Sequence, residues 1–134
     1  MSLDNIRKME YDWAMNENYR QQVAQLFRAL TNPARLAILE LLREDEQCVC
    51  HLEARLKYRQ AYISQQLAIL REAGIVQDRR EGWNIYYRIT RPEVFDLFEA
   101  ARVTLGLPSE LKMVKEEAVV CPCPKCGDVV EKAM

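Results

Sequence analysis

The feature that most constrains this chain is a change of hydrophobic period at Gly74. Upstream of it, Ile63, Leu67 and Leu70 fall within one narrow arc when the chain advances by about 100° per residue, the step of an α-helix. Downstream, Trp83, Ile85, Tyr87 and Ile89 alternate with Asn84, Tyr86, Arg88 and Thr90, the period of a strand with one buried face. Glycine suits the boundary because it closes a helix in the left-handed conformation without a Cβ clash. The pattern therefore predicts a helix over Arg59–Ala73. Strands over Ile75–Arg80 and Trp83–Thr90 follow, joined around Glu81-Gly82.

The remaining elements follow from similar signals. Residues from Asp4 to Leu30 are helical in character, with Val23, Leu26, Phe27 and Leu30 on one face and an expected interruption at Asn16 to Asn18. Thr31-Asn32-Pro33 supplies a capping side chain and then proline in the first turn, where the missing N–H is harmless. The helix that starts there runs to Leu42, with Leu36, Ile38, Leu39, Leu41 and Leu42 turned inward. A short helix is expected over Val49–Leu56, and a last long one from Pro92 to Leu105 with Val94, Phe95, Leu97, Phe98 and Ala101 as its apolar side. The fold class is thus mainly α with a small β-hairpin, in the order of a winged helix-turn-helix. Residues 1–106 form the folded domain and residues 107–134 a cysteine-bearing tail.

Composition narrows the function. The chain has 134 residues, 49% of them hydrophobic, which suits one compact domain with a real core. No apolar run is long enough to span a membrane, and Met1 to Lys8 lacks the apolar stretch of a signal peptide, so a cytoplasmic location is expected. Formal net charge is only −1, but it is unevenly spread. Between Arg55 and Arg91 stand eight basic residues against three acidic ones, giving +5, while the rest carries −6. A basic stretch on an acidic chain fits a face that binds a polyanion. One histidine, His51, no glycine-rich phosphate loop and no paired carboxylates leave no catalytic set, so no enzyme is expected.

On the helix from Arg59 to Ala73, the arc opposite Ile63, Leu67 and Leu70 holds Ala61, Tyr62, Gln65 and Ala68, with Ser64 at its edge. Amides and hydroxyls match base edges in the major groove, and recognition helices present their N-terminal turns to it. Gln60, Tyr62, Ser64 and Gln65 are the expected base readers and Arg59 a phosphate contact. Arg79, Arg80 and Arg88 on the hairpin are placed for backbone or minor groove. A winged helix serving as a protein-interaction module is the bland alternative.

Leu30-Thr31-Asn32-Pro33-Ala34-Arg35-Leu36, Cys48-Val49-Cys50-His51-Leu52, Ile63-Ser64-Gln65-Gln66-Leu67, Leu70-Arg71-Glu72-Ala73-Gly74-Ile75-Val76 and Tyr86-Tyr87-Arg88 together resemble the ArsR/SmtB family of metal-responsive repressors. The resemblance spans Leu30 to Thr90. It implies a homodimer built through the N- and C-terminal helices and bound to a double-stranded DNA operator with two half-sites. It also implies repression relieved by a thiophilic metal or metalloid. Gln65 and Gln66 stand where many members carry histidine, which bears on the operator sequence rather than on the fold.

Five cysteines, Cys48, Cys50, Cys121, Cys123 and Cys126, form two short groups, a spacing of metal or redox chemistry rather than of a disulfide framework. Cys48 and Cys50 stand where the family has its first-described metal site. Residues i and i+2 of a regular helix diverge by about 200°, so they share one ion only if Cys48 lies in a non-helical cap. Arsenic-sensing relatives have a further cysteine where this chain has Glu53, and no histidine lies between Pro92 and Leu105, so neither usual ligand set is complete. Cys121-Pro122-Cys123-Pro124-Lys125-Cys126-Gly127 contains a thiolate knuckle. Either the tail joins Cys48 and Cys50 in a sulfur-rich site suited to Zn²⁺, Cd²⁺, Pb²⁺ or As(III), or it holds its own ion. A redox or persulfide switch on the same cysteines is the rival reading.

Overall fold

The computed structural model describes residues 3–108. Most of the expected tail, with Cys121, Cys123 and Cys126, lies outside the described residues. Five helices and a three-stranded sheet follow in the order α1 (Leu3–Ala29), α2 (Pro33–Leu42), β1 (Gln47–Cys48), α3 (Val49–Leu56), α4 (Gln60–Glu72), β2 (Val76–Glu81), β3 (Asn84–Ile89) and α5 (Val94–Thr104). Among the described residues no helix is long and apolar enough to cross a membrane.

Local stereochemistry fixes the ends of the central helices. Asn32 is the cap of α2, its side-chain oxygen accepting from the Ala34 N–H at 2.8 Å, and Pro33 opens the helix. Gly74 follows the Ala73 C-cap of α4 at φ +76 and turns the chain into β2. Between α3 and α4 the turn is made by Lys57, a non-glycine residue held at φ +59 while its N–H donates to Glu53 O at 2.8 Å. That left-handed residue sets the angle at which α4 leaves α3.

The core is shared by these helices and the hairpin. Ile38, Leu39 and Leu42 of α2, Leu52 of α3, Ile63, Leu67 and Leu70 of α4, and Ile75, Val76 and Tyr87 of the hairpin are all buried together. From α1 and α5, Ala29 and Val94 join them fully, and the other contributors, such as Leu26, Phe95 and Phe98, are half-buried. Ala101, expected on the apolar side of α5, is exposed.

Four expectations are corrected. First, α1 is continuous through Asn16 and Asn18, because asparagine lowers helix propensity by well under about 1 kcal/mol, too little to break a long helix. Second, α5 begins at Val94 rather than at Pro92, which lies in the preceding turn. Third, the hairpin turns at Gly82-Trp83, not Glu81-Gly82, since Glu81 pairs with Asn84. Gly82 at φ +60 followed by a residue with negative φ is the pattern of a type II′ turn. Fourth, Tyr86 is buried although its alternation places it with Arg88 on the open face. The reason is β1, absent from the sequence reading: Cys48 pairs with Tyr86 and Gln47 with Tyr87, giving sheet order β1-β3-β2 and covering Tyr86.

Among the described residues the buried polar side chains are Arg35 and Gln66, and they bond to each other. Arg35 donates to Gln66 Oε1 at 2.6 Å, to Ala29 O at 2.7 Å and to Arg28 O at 3.1 Å. The latter two are carbonyls from the last turn of α1, which have no partner within their own helix. One guanidinium thus ties α1, α2 and α4 together. Arg35→Ala should lower stability by about 2–4 kcal/mol in a urea titration, since Gln66 and the helix end lose a charged donor inside the protein. Arg35→Lys should recover little of it, lacking the fork that reaches all three acceptors; wild-type stability in the lysine variant would refute the clamp.

Candidate nucleic-acid interface

The α3–turn–α4 unit presents α4 with its apolar arc down and its polar arc out. Arg59, Gln60, Ala61, Ser64 and Gln65 are exposed. Arg59 is the α4 N-cap residue and makes no side-chain capping bond, as expected of a guanidinium, which has donors but no acceptor for the helix N–H groups. Tyr62 differs from the other expected readers. It is half-buried, its ring lies 5.2 Å from that of Tyr58, and its hydroxyl accepts from Asn32 Nδ2 at 3.2 Å. Asn32 thereby caps α2 through its oxygen and braces α4 through its nitrogen, a double use that its capping signature in the sequence did not reveal.

The three hairpin arginines do not act on one face. Residues directly opposite in an antiparallel pair share a face, so Arg79 with Tyr86 and Arg88 with Gln77 lie on one side, and Arg80 with Ile85 on the other. Arg88 donates to Gln77 Oε1 at 2.6 Å. Arg79 is the most engaged: it forms ion pairs with Glu46 and with Glu81, the latter at 2.8 Å, and its guanidinium lies 4.9 Å above the Tyr86 ring. Hydrogen bonds that it donates to Glu46, and then to Glu81, raise its already high pKa further. Glu46 is the residue that sequence reasoning missed here, because the contact depends on β1 lying beside β3.

Beneath this cluster lie the two cysteines. Cys48 is the N-cap of α3 with extended backbone, φ −82 and ψ 161, and its sulfur accepts from the His51 N–H at 3.4 Å. That is the non-helical position needed for the sulfurs to converge, and Cys48 Sγ and Cys50 Sγ stand 2.7 Å apart. Cys48 is buried against Tyr86, whereas Cys50 is half-buried beside them. Among the described residues no group of three or more histidine, cysteine or acidic side chains comes together around a possible ion.

A helix-turn-helix with a small, polar outer arc, followed at once by a β-hairpin, defines a winged helix-turn-helix of the DNA-binding kind, and β2–β3 is its wing. Residues 32–78 match the family described as "Bacterial regulatory protein, arsR family". The chain is 36% identical over 96 residues to a transcriptional repressor SmtB homolog of Synechocystis, covering 72% of each protein. Reduced HlyU from Vibrio cholerae superposes with a TM-score of 0.60 at 32% identity, over 67% of this chain and 95% of that one. A homodimeric winged helix-turn-helix DNA-binding domain from Mycobacterium bovis gives 0.60 at 34% identity, over 68% and 84% respectively. The chain belongs to the ArsR/SmtB family of winged-helix transcriptional regulators, proteins that bind DNA and are not enzymes.

The wing is held to the core by Tyr87, whose burial raises the phenol pKa above its ordinary value, with Arg71 opposing and Asp78 reinforcing the shift. The unfolded chain then loses this proton at lower pH than the folded one. Its contribution to stability is complete below the unfolded pKa near 10 and is lost as pH rises through the folded value. Thermal melts between about pH 9 and 11 should fall less steeply for Tyr87→Phe than for wild type, and equal slopes would count against the assignment.

Proposed function

We propose that this chain is a homodimeric, sequence-specific repressor working in the cytoplasm on a double-stranded operator, and that the Cys48–Cys50 pair controls its hold on DNA by thiol oxidation. The observation that carries the reading is the position of two cysteine sulfurs 2.7 Å apart at the base of the wing. Gln60, Ser64 and Gln65 read base edges, Tyr62 lies beside them braced by Asn32, and Arg59, Arg80, Arg88 and Arg79 meet phosphates. Support for the dimer comes from apolar side chains that the single chain leaves in water at both ends: Met15, Tyr19 and Phe27 on α1, and Val103 and Leu105 at the end of α5.

The chemistry balances simply. Two thiols give up two protons and two electrons to a peroxide, forming one S–S bond while the peroxide becomes two waters. With a polysulfide as oxidant, sulfane sulfur takes the electrons instead. Cys48 pairs in β1 with Tyr86, and Glu46 stands two residues before it, so a bond drawn between the sulfurs shifts two of the three groups that hold Arg79. Cys48 is also the cap of α3, which packs directly on α4. The state of the thiols therefore reaches the wing and the reading helix by short paths.

A second reading keeps the same sulfurs as half of a thiolate set for Zn²⁺, Cd²⁺, Pb²⁺ or As(III). Its support is the extended backbone of Cys48, which lets the i and i+2 sulfurs converge. The remaining ligands then come from Cys121, Cys123 and Cys126, outside the described residues.

The test is duplex binding by the reduced, metal-free protein, followed over added peroxide and, separately, over added Zn²⁺ or Cd²⁺. Peroxide should remove two hydrogens from the intact mass and weaken binding about 5–150-fold, the usual span of allosteric coupling. Cys48→Ser with Cys50→Ser should bind equally well and ignore peroxide. Release by metal alone, with peroxide inert, transfers the switch to the second reading. Gln65→Ala should cost about 1–3 kcal/mol on the selected sequence and much less on random duplex; equal losses on both would remove Gln65 from base reading.

A further inference from the structure

Trp83 is fully exposed, at 102% of its reference surface, at the tip of the wing. Nothing in the fold asks for it. The second position of a type II′ turn after Gly82 accepts small polar residues such as asparagine or serine, and the type itself depends only on the glycine. Strand alternation would have turned Trp83 inward with Ile85 and Tyr87, but the turn removes it from β3 and leaves its indole in water. An aromatic ring of this size is ordinarily among the most buried side chains, so an outward ring at the end of a rigid hairpin points to a partner.

The hairpin also indicates which partner. Arg79, Arg80 and Arg88 outnumber Asp78 and Glu81 on its two strands, and although Arg79 is engaged with Glu46 and Glu81, the ring stands at the end of an arm that is net basic and suited to a polyanion. Each strand has six residues, which carries the tip about 17 Å from its base. That span is about half the 34 Å helical repeat of duplex DNA, the separation between a major groove and the next minor groove. β2 starts just after the end of α4, so a wing of this length reaches across one phosphate ridge when α4 lies in the major groove. Flat or apolar side chains in the minor groove lie against sugars or wedge into base steps, reading width and deformability rather than hydrogen-bonding pattern.

We propose that Trp83 is a DNA-contact residue, seated in the minor groove beside the half-site read by α4. It would make the operator preference depend on flanking positions that α4 does not touch. The inference rests on the DNA-binding reading above.

The chain has two tryptophans, so Trp13→Phe leaves Trp83 as the single tryptophan, excited selectively on the red edge where the tyrosines do not absorb. The probe is a duplex selected from a random-sequence pool by the wild-type protein. Adding it should quench Trp83 emission and shield the ring from acrylamide, and a distamycin-type minor-groove ligand should reverse both. Trp83→Ser, a change at a fully exposed site, should melt like wild type yet bind the duplex about 5–100-fold more weakly. Its salt dependence should be unchanged, because no charge is lost, whereas Arg80→Gln should make it shallower. Unchanged affinity in Trp83→Ser, or unchanged emission on a duplex that Trp13→Phe demonstrably binds, overturns the proposal alone. Failure of the wild-type protein to select any duplex overturns the DNA-binding reading with it.

Discussion

A guanidinium inside the protein, that of Arg35, is what the relative placement of the helices depends on. Apolar contacts between α2, α3, α4 and the hairpin are numerous but carry little direction. The three bonds from Arg35 have direction, and they end on two carbonyls of α1 and on the side chain of Gln66 in α4. A buried polar pair of this kind adds less to stability than apolar replacements of the same volume can, but it excludes alternative packings that leave its donors unmet. Its use here is easily stated. Among the described side chains α1 meets the core through Leu26 and Ala29, with Leu30 just beyond its end, and the clamp fixes the direction of the helix at that point.

That direction matters because α1 and α5 are the elements whose apolar side chains remain in water in one chain. In the proposed two-fold dimer, the separation of the two α4 helices would be a sum of small angles, each fixed by a junction such as Arg35 or the left-handed Lys57. An operator with two half-sites demands that separation to within a fraction of a base pair. Polar junctions between helices are therefore where geometry, rather than stability, is determined.

Much of this was legible in the sequence, and the larger part of what was not shares one cause. The ends of α2 and α4 were readable from Asn32, Pro33 and Gly74, because caps and helix stops are made by neighbours along the chain. The Val49–Leu56 helix and the requirement that Cys48 lie in an extended cap followed from the same local geometry. The unbroken α1, the later start of α5 and the turn at Gly82-Trp83 are local misjudgements, whereas the larger misses are contacts between distant segments. β1 has two residues and no pattern of its own; it exists because β3 is beside it, and it buries Tyr86 and brings Glu46 to Arg79. Arg35 is written like any surface arginine, and its acceptors lie six, seven and thirty-one positions away. The tail cysteines were just as readable as the first pair, but a ligand set is a tertiary fact.

The engagement of Arg79 also bounds what a thiol switch at Cys48 can do through the wing alone. Exposed ion pairs such as Arg79 with Glu46 and Glu81 are worth about 0–1 kcal/mol each, so releasing that arginine to a phosphate gains little beyond exchanging one partner for another. Across a dimer the effect doubles, reaching the lower part of the roughly 1–3 kcal/mol typical of coupling between sites. Near-complete switching needs about 5.5 kcal/mol between states. The larger share must then come from α3, whose first residue follows Cys48 and whose packing against α4 sets the tilt of the reading helix. A strain of the α3 cap is felt by every base contact on α4 at once, which a single wing cation cannot match. The position of the cysteines at that cap, rather than their nearness to the wing, is what suits them to the proposed switch.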